Sequence, residues 1–189
     1  MAKYEIAVIA GDGIGREVIP AAMDVLDVAA DVTGAFELRW QRFDWGCQYY
    51  LDTGRMMPES GLSTLGQFDS IFLGAIGYPG VPDHLSLWGL LLPIRQHFDQ
   101  YVNLRPVRLL PGIPGPLRDK GPDDVNFVCV RENTEGEYSG AGGRVHQGHP
   151  EEAVVQTAIF TRAGTERIIR YTFEYARRHG RRKVSSATK

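Results

Sequence analysis

A buried strand that runs through a glycine turn into a helix constrains the fold of this chain more than any other feature. Residues Ile6–Ala10 form a continuous apolar run, and Gly11–Gly13 closes it. Apolar residues then recur at helical spacing as far as Gly34. In residues 36–41 apolar and polar side chains alternate, which predicts a second strand. Because a strand, a helix and a strand in succession favour a parallel pair, the sequence predicts an α/β fold.

The rest of the chain continues this pattern and then changes. Proline and glycine are frequent from Arg105 to Pro122, and this predicts a domain crossover there. We therefore assign residues 1–104 to the first α/β domain and residues 105–189 to part of a second. Further elements are predicted as helices near 48–51, 59–67 and 168–176, strands at 70–74, 126–131 and 153–162, a glycine-rich excursion at 140–148, and an extended segment from Val184.

Composition excludes several classes of protein. The 189 residues are 43% hydrophobic and 23% charged, with a formal charge of -2, so no basic field draws the chain to nucleic acid or anionic lipid. No apolar run is long enough for a membrane span, and the start lacks a signal segment. Two cysteines without a CxxC motif argue against a cysteine-based metal site. We expect a cytoplasmic protein that binds neither nucleic acid nor membrane.

The glycine turn has two interpretations. Gly11-Asp12-Gly13-Ile14-Gly15 resembles a dinucleotide fingerprint, but Arg16 stands where the sixth position requires glycine. No acidic residue ends a second strand about 20 residues later, as a standard Rossmann site would require. The turn is therefore either a tight connection from strand to helix or a loop that approaches a ligand.

Three arginines are candidate ligands for an anion. Arg95, Arg105 and Arg131 each follow an apolar segment. A guanidinium group grips a carboxylate with two parallel hydrogen bonds, whereas any single arginine is more typical of a surface ion pair. Three together favour an acidic small molecule.

A polar run after a strand supplies a candidate acid. In Arg131–Tyr138 the tyrosine could donate a proton to a substrate or could pack on the loop. His146 and His149 are expected to be exposed to solvent, not metal ligands. The basic run Arg177–Lys183 is more typical of a helix end, where cations offset the helix dipole, than of a nucleic-acid site.

Four motifs together resemble a known family. They are Ala10–Val18, Leu73–Gly77, Asn103–Val107 and Val130–Tyr138, and they are similar to motifs of the β-decarboxylating dehydrogenases, which act on isocitrate, 3-isopropylmalate, tartrate or D-malate. The match runs from Tyr4 to Lys189. It implies an isopropylmalate-dehydrogenase-like fold, in which mixed sheets are flanked by helices, and not a standard Rossmann fold.

The resemblance also implies an activity. We expect oxidation of a 2-hydroxy dicarboxylic acid by NAD, followed by decarboxylation assisted by Mg²⁺ or Mn²⁺. The segments Asp83–Gly89 and Phe98–Val102 are similar to those of enzymes that act on tartrate or D-malate. A homodimer is implied, and the segment Gly140–Arg162 is a candidate interlocking arm.

Site residues follow from the same resemblance. Arg95, Arg105 and Arg131 match the family's substrate arginines, Tyr138 its catalytic tyrosine and Lys189 its catalytic lysine. The loop Gly74, Ala75, Ile76, Gly77 matches the nicotinamide side of the cofactor site. Trp88, seven residues before Arg95, either limits substrate size or serves in ordinary packing.

Alternatives remain open at this level. Family members have about twice this length, and the other half carries the aspartates that bind the metal and the loop that grips adenosine. No metal ligands are therefore expected in this chain, which alone is expected to be inactive. The alternative function is a truncated fragment that only dimerises or binds anions, and a nucleic-acid binder based on Arg177–Lys183 ranks third. The sequence does not choose between tartrate and D-malate, or between NAD and NADP.

Overall fold

The computed structural model describes residues 1–187 and divides into two units, one from Met1 to His97 and the other from Phe98 onward. Each unit has its own sheets and helices, and each is described by itself. The assignment of residues 1–104 and 105–189 to two domains stays a prediction, because a domain of a longer protein need not coincide with a unit of this chain.

Unit 1 is built on a parallel sheet with helices between its strands. Its three strands run in the order β2-β1-β3, and β1 pairs in parallel with both neighbours. Its elements are β1 (Ala2–Gly11), α1 (Gly15–Thr33), β2 (Phe36–Arg42), α2 (Cys47–Thr53), α3 (Gly61–Leu65), β3 (Ser70–Ala75), α4 (Asp83–Ser86), a π-helical turn (Leu87–Leu91) and α5 (Leu92–His97). The predicted α/β character of this region is confirmed.

The core of unit 1 lies between α1 and the sheet. Ile6 and Val8 of the central strand contact Ile19 and Met23 of α1, and all four side chains are at most 8% exposed. Burial of an apolar side chain of this size is worth about 1.5–3 kcal/mol. Gly34 ends α1 in the left-handed conformation, with φ of 60°, as the sequence predicted.

The glycines of the turn and of β3 allow the backbones to approach closely. A Cβ atom on Gly15 or on Gly74 would lie 2.1 Å from the carbonyl oxygen of Ala10. A Cβ atom on Gly11 would lie 2.1 Å from the carbonyl oxygen of Ala75. These glycines are therefore required by the packing of β1, β3 and α1.

Unit 2 consists of two antiparallel strand pairs and a long helix. Strand β4 (Val102–Arg108) pairs with β5 (Asn126–Glu132), and β6 (Gly136–Val145) pairs with β7 (Ala153–Ile159). Helix α6 (Arg162–Arg178) is capped by Thr161, whose Oγ1 accepts a hydrogen bond from the N–H of Gly164 at 2.9 Å.

One expectation about unit 2 is wrong. The glycine-rich segment 140–148 is not an excursion over most of its length, because β6 runs to Val145 and is held by its pairing with β7. The extended segment expected from Val184 stays a prediction, since residues 184–187 carry no assigned secondary structure and pair with none of the strands in the described part of the chain. Pro106 lies within β4, where a strand with one open edge tolerates a missing N–H.

None of the helices in residues 1–187 is both long and apolar enough to cross a membrane.

Candidate functional site

Two of the three predicted arginines share one face of the β4–β5 pair. Asn103 stands opposite Arg131 in the antiparallel register, and Arg105 stands opposite Cys129. Side chains of opposite residues point to the same face, as do those of residues two apart on one strand. Both guanidinium groups therefore project from one surface of unit 2.

Asn133 organises this surface. It is 4% exposed, and its Oδ1 accepts hydrogen bonds from Nη2 of Arg131 at 3.2 Å and from Nδ2 of Asn103 at 3.3 Å. Its Nδ2 donates to the backbone oxygen of Gln100 at 3.1 Å. Asn103 in turn accepts a hydrogen bond from Nε of Arg105 at 3.0 Å. The two arginines are thus connected through two amide side chains, which fix the direction of both guanidinium groups.

Arg131 retains hydrogen-bonding capacity. Its Nε is buried and has no hydrogen-bond partner within the described residues. Its Cζ lies over the ring of Tyr138, 5.6 Å from the ring centroid. A buried N–H donor without a partner costs about 1–3 kcal/mol, and a carboxylate placed here would offset that cost.

The loop between Arg131 and Tyr138 is held by its own carboxylates. Glu132 accepts hydrogen bonds from the N–H of Thr134 at 3.0 Å and from its hydroxyl at 2.7 Å. It also accepts a bond from the N–H of Glu135 at 2.8 Å. The loop then turns at Gly136, whose φ is 68°. This network fixes the path of the chain that delivers Tyr138.

Glu135 connects the same loop to the start of α6. Its carboxylate accepts hydrogen bonds from the hydroxyl and, at 2.9 Å, from the N–H of Thr161. These hydrogen bonds, with a smaller contribution from Arg167, lower the pKa of Glu135 below its usual range. A Cβ atom on Gly164 would lie 2.3 Å from this carboxyl group, so a larger residue there would displace the Glu135 side chain from its present position. The helix start and the loop are therefore built as one piece.

The predicted cofactor loop Gly74–Gly77 lies in unit 1, at the carboxyl end of β3. Asp12, only 3% exposed, accepts hydrogen bonds from the N–H of Gly77 at 3.1 Å and from the N–H of Cys47 at 3.0 Å. The N–H of Asp12 donates to the oxygen of Ala75 at 2.6 Å. One carboxylate thus joins the end of β1, the start of α2 and this loop. In open α/β sheets, ligands bind outside the carboxyl ends of the strands.

Burial and the neighbouring carboxylate both affect Cys47. Desolvation, and then the hydrogen bond and charge of Asp12, raise the pKa of its thiol to about 11. A thiol with this pKa stays protonated at neutral pH, and it is not a candidate nucleophile. Cys129, in contrast, is exposed on the arginine surface of unit 2.

The other predicted site residues are more scattered. Arg95 lies in α5 of unit 1, and Trp88, 42% exposed, lies in the π-helical turn before it. The segment between them is helical, but its π turn changes the angle that seven residues span in a regular α-helix. Lys189 lies outside the described residues.

Residues 1–187 offer neither a cluster of metal ligands nor a free basic run. No group of three or more histidine, cysteine, aspartate or glutamate side chains there could hold a metal ion. Within the basic run, Arg177 and Arg178 lie in the last turn of α6. Arg181 donates to the backbone oxygen and to Oδ1 of Asn126, at 3.1 and 2.9 Å. Much of the run therefore has a structural role.

Three residues of these networks were missed by sequence reasoning. Asn103 and Asn133 each lie two positions from an arginine that the sequence singled out, so the period of a strand could have placed them on the same face. Asp12 lies inside the glycine turn and gives no such signal, because its partners Cys47 and Gly77 are distant in sequence.

Comparison with known proteins identifies the family. Residues 5–189 match the isocitrate/isopropylmalate dehydrogenase family. The chain is 53% identical to a probable tartrate dehydrogenase/decarboxylase of Agrobacterium vitis over 189 residues, which are 100% of this chain and 53% of that protein. It is also 53% identical to the D-malate dehydrogenase (decarboxylating) of Escherichia coli, again over 100% of this chain and 53% of the relative. The chain therefore spans about half the length of these relatives.

A solved structure agrees with this result. The crystal structure of isocitrate dehydrogenase from Methylococcus capsulatus superimposes with a TM-score of 0.74 at 33% sequence identity, and the match covers 96% of this chain and 49% of that one. The predicted isopropylmalate-dehydrogenase-like fold is confirmed. This chain belongs to the isocitrate/isopropylmalate dehydrogenase family.

Proposed function

We propose that this chain is the first half of an NAD-dependent dehydrogenase that oxidises and decarboxylates tartrate or D-malate. The observation that carries the proposal is the arginine surface of unit 2, on which Arg105 and Arg131 share one face and Nε of Arg131 is buried without a partner. Two fixed cations suit a dianionic substrate. The names of the relatives supply the choice of substrate.

In this proposal, Arg105 and Arg131 bind substrate carboxylate. Asn103 and Asn133 act as positioning residues, because they hydrogen-bond to the guanidinium groups and fix their orientation. Arg95 is proposed as the third substrate arginine. Trp88 is proposed to limit the size of the substituent that the substrate carries.

Tyr138 is proposed to protonate the enol that remains after loss of carbon dioxide. Its ring lies beside the guanidinium of Arg131, so a substrate held by that arginine would lie near the tyrosine. Lys189 is proposed from the resemblance alone as the base that takes the hydroxyl proton of the substrate.

The cofactor loop is proposed to line the nicotinamide side of the NAD site. NAD, when bound, accepts the hydride of the oxidation step. The place of Gly74–Gly77, at the carboxyl end of a parallel strand, fits a ligand-binding loop, and Asp12 holds it in place. No group of three or more metal-ligating side chains lies within residues 1–187, and the Mg²⁺ or Mn²⁺ ligands of a full-length enzyme are proposed to come from outside these residues.

The partner is proposed to be a second copy of the chain, with the β6–β7 hairpin as the interlocking arm. All residues of β7 are exposed, and its apolar side chains Val154, Val155 and Ile159 are 61%, 61% and 43% exposed. A hairpin with exposed apolar side chains and unpaired edges is typical of a segment that pairs with another chain.

The role of Tyr138 can be tested in a full-length form, in which this chain continues into the second half of the D-malate dehydrogenase of Escherichia coli. Tyr138→Phe removes only the hydroxyl, so it should spare oxidation more than formation of the decarboxylated product. Two activities of the variant are compared. The first is reduction of the dinucleotide with D-malate, whose turnover includes protonation of the enol. The second is reduction of the keto acid, which involves no decarboxylation. Equal losses in the two assays would contradict the role, and Tyr175→Phe, on α6, is the matched control.

A catalytically inactive fragment is the second candidate function. The lack of a metal-binding group in residues 1–187 favours it for the 189-residue chain taken alone. We expect this chain to show no reduction of NAD with D-malate or tartrate in the presence of Mn²⁺. Turnover by the 189-residue protein, with its mass verified and no longer form present, would exclude this candidate.

A further inference from the structure

Arg167 of helix α6 joins two segments of unit 2 that are distant in sequence. Its Nη1 donates hydrogen bonds to both carboxylate oxygens of Asp99, each at 2.9 Å. Its Nη2 donates to the hydroxyl of Thr134 at 2.9 Å. Its Cζ lies over the ring of Tyr101, 4.4 Å from the ring centroid. One guanidinium group therefore contacts the chain just before β4 and the chain just after β5.

These contacts differ from those of an ordinary surface ion pair. The Arg167 side chain is 33% exposed, and its Nε is buried without a hydrogen-bond partner within the described residues. Asp99 has a backbone φ of 45°, in the left-handed region that non-glycine residues seldom adopt. Such a conformation persists only where the surroundings determine it. Here Arg167 binds the carboxylate of Asp99, and the N–H of Tyr101 donates to its backbone oxygen at 2.8 Å.

The two segments meet in a hydrogen bond between Asn133 and Gln100. Nδ2 of Asn133 donates to the backbone oxygen of Gln100 at 3.1 Å, and its Oδ1 accepts from Nη2 of Arg131 at 3.2 Å. Gln100 lies between the two residues before β4 that Arg167 contacts, and Asn133 directly precedes Thr134. Arg167 therefore fixes both sides of the hydrogen bond that orients the Asn133 amide. This amide in turn orients the guanidinium of Arg131.

We infer that Arg167 is a positioning residue for substrate binding, which acts through Asn133 on Arg131 and does not itself touch the substrate. The inference deepens the proposed function and rests on it. Arg170, on the same helix, provides the contrast. Its Nη2 donates to Glu166, one turn earlier on α6, at 2.8 Å, and its side chain is 65% exposed. An exposed ion pair within one helix contributes little, so Arg170 has no comparable task.

The experiment measures both Michaelis constants in the full-length form described above. Arg167→Gln removes the positive charge and the planar group that reaches Asp99 and Thr134 together. The KM for D-malate should rise about tenfold, because a misaligned Arg131 binds a carboxylate less well. The KM for NAD should stay within about twofold, since the proposed cofactor loop belongs to unit 1, whereas Arg167 and its partners belong to unit 2.

Two comparisons separate positioning from a merely structural role. A structural role would lower only the fraction of folded enzyme, which reduces the apparent kcat and leaves both KM values unchanged. Arg170→Gln, the matched control, should change neither KM. In an Asn133→Ala background, Arg167→Gln should raise the KM for D-malate by less than about twofold more, because its effect passes through the Asn133 amide.

A milder variant covers the case in which Arg167→Gln does not fold. Arg167→Lys keeps the charge on a single ammonium group, which lacks the planar pair of donors, and the KM for D-malate should rise about threefold. A KM within about twofold of the parent in every Arg167 variant that folds would overturn the inference, whatever the thermal midpoint. An undiminished effect of Arg167→Gln in the Asn133→Ala background, or an equal effect of Arg170→Gln, would also overturn it.

Arg131→Lys distinguishes failure of the inference from failure of the proposed function. If Arg131→Lys weakens the use of D-malate and the Arg167 variants do not, the inference alone is wrong. If Arg131→Lys has no effect, the proposed substrate contact is wrong, and the inference that rests on it is wrong as well.

Discussion

Removal of the Asp12 carboxylate should destabilise unit 1 by an amount that its hydrogen bonds define. Asp12→Ala leaves the N–H groups of Cys47 and Gly77 without an acceptor. An unsatisfied buried donor costs about 1–3 kcal/mol. Cys47 is fully buried, whereas Gly77 is exposed and its N–H can regain water. The expected loss is therefore about 1–3 kcal/mol, a large part of a typical folding free energy of roughly 5–15 kcal/mol.

Tryptophan fluorescence during urea unfolding measures this loss of stability in unit 1, the unit that contains Asp12. The chain has 3 tryptophans, Trp40, Trp45 and Trp88, and all lie in unit 1. With a urea dependence of about 2 kcal/mol per molar, the midpoint should fall by roughly 0.5–1.5 M while the slope stays constant. Asp12→Asn, which keeps one acceptor oxygen, should fall between Asp12→Ala and the parent.

Asp69→Ala is the matched control. Asp69 also accepts a hydrogen bond from a backbone N–H, that of Glu5 at 2.8 Å, but the bond is exposed to solvent. Water can replace that acceptor, so the loss should stay below about 1 kcal/mol. If Asp12→Ala costs no more than Asp69→Ala, the Asp12 carboxylate is not the buried acceptor on which this reasoning depends.

Three further predictions follow from the sites. In the full-length form, Arg131→Lys keeps the positive charge but loses the planar pair of donors that a carboxylate binds. The value of kcat/KM for D-malate should therefore fall about tenfold. A fall of less than about twofold would refute the contact between Arg131 and a substrate carboxylate. A thiol reagent at pH 8 should label the exposed Cys129 and not Cys47, whose buried thiol has a pKa of about 11, as peptide mass mapping would show. Glu135→Gln should lower the free energy of unfolding at neutral pH, because the hydrogen bonds from Thr161 favour the carboxylate and lower its pKa. Stability from a lowered pKa is present above the pKa of the unfolded state and is lost as the pH falls through the pKa of the folded state. The difference in the free energy of unfolding between Glu135→Gln and the parent should therefore shrink in acid. A difference that stays constant with pH would contradict this assignment.

Local patterns were sufficient to predict most of unit 1. The apolar run of β1, the helical period of α1 and the terminating Gly34 are local signals, and the structure follows them. The glycine-rich segment after Gly140 was predicted wrongly. Its glycines indicate a loop, whereas pairing with strand β7 holds the segment in an extended conformation. Pairing with a distant segment overrides local preference, and a single sequence does not display it.

The candidate site was predictable in its charges but not in its connections. Arginines after apolar segments identified Arg105 and Arg131, but their shared face depends on the antiparallel register of β4 and β5. The link through Asn133 depends on the same register and on the backbone of Gln100. Contacts of this kind join segments that are about 30 residues apart, and no local rule specifies them.

The close approach of backbones at Ala10 also affects how glycine motifs should be interpreted. Gly15 and Gly74 are required because any larger residue would collide with the main chain of Ala10, and no nucleotide is needed to explain them. A search that scores glycines after a first strand will therefore find nucleotide-like fingerprints in every protein that has this crossing, including those that bind no nucleotide. Gly13 is explained without a ligand as well: a Cβ atom there would meet nothing within 4 Å, but its φ of 49° lies in the left-handed region that favours glycine.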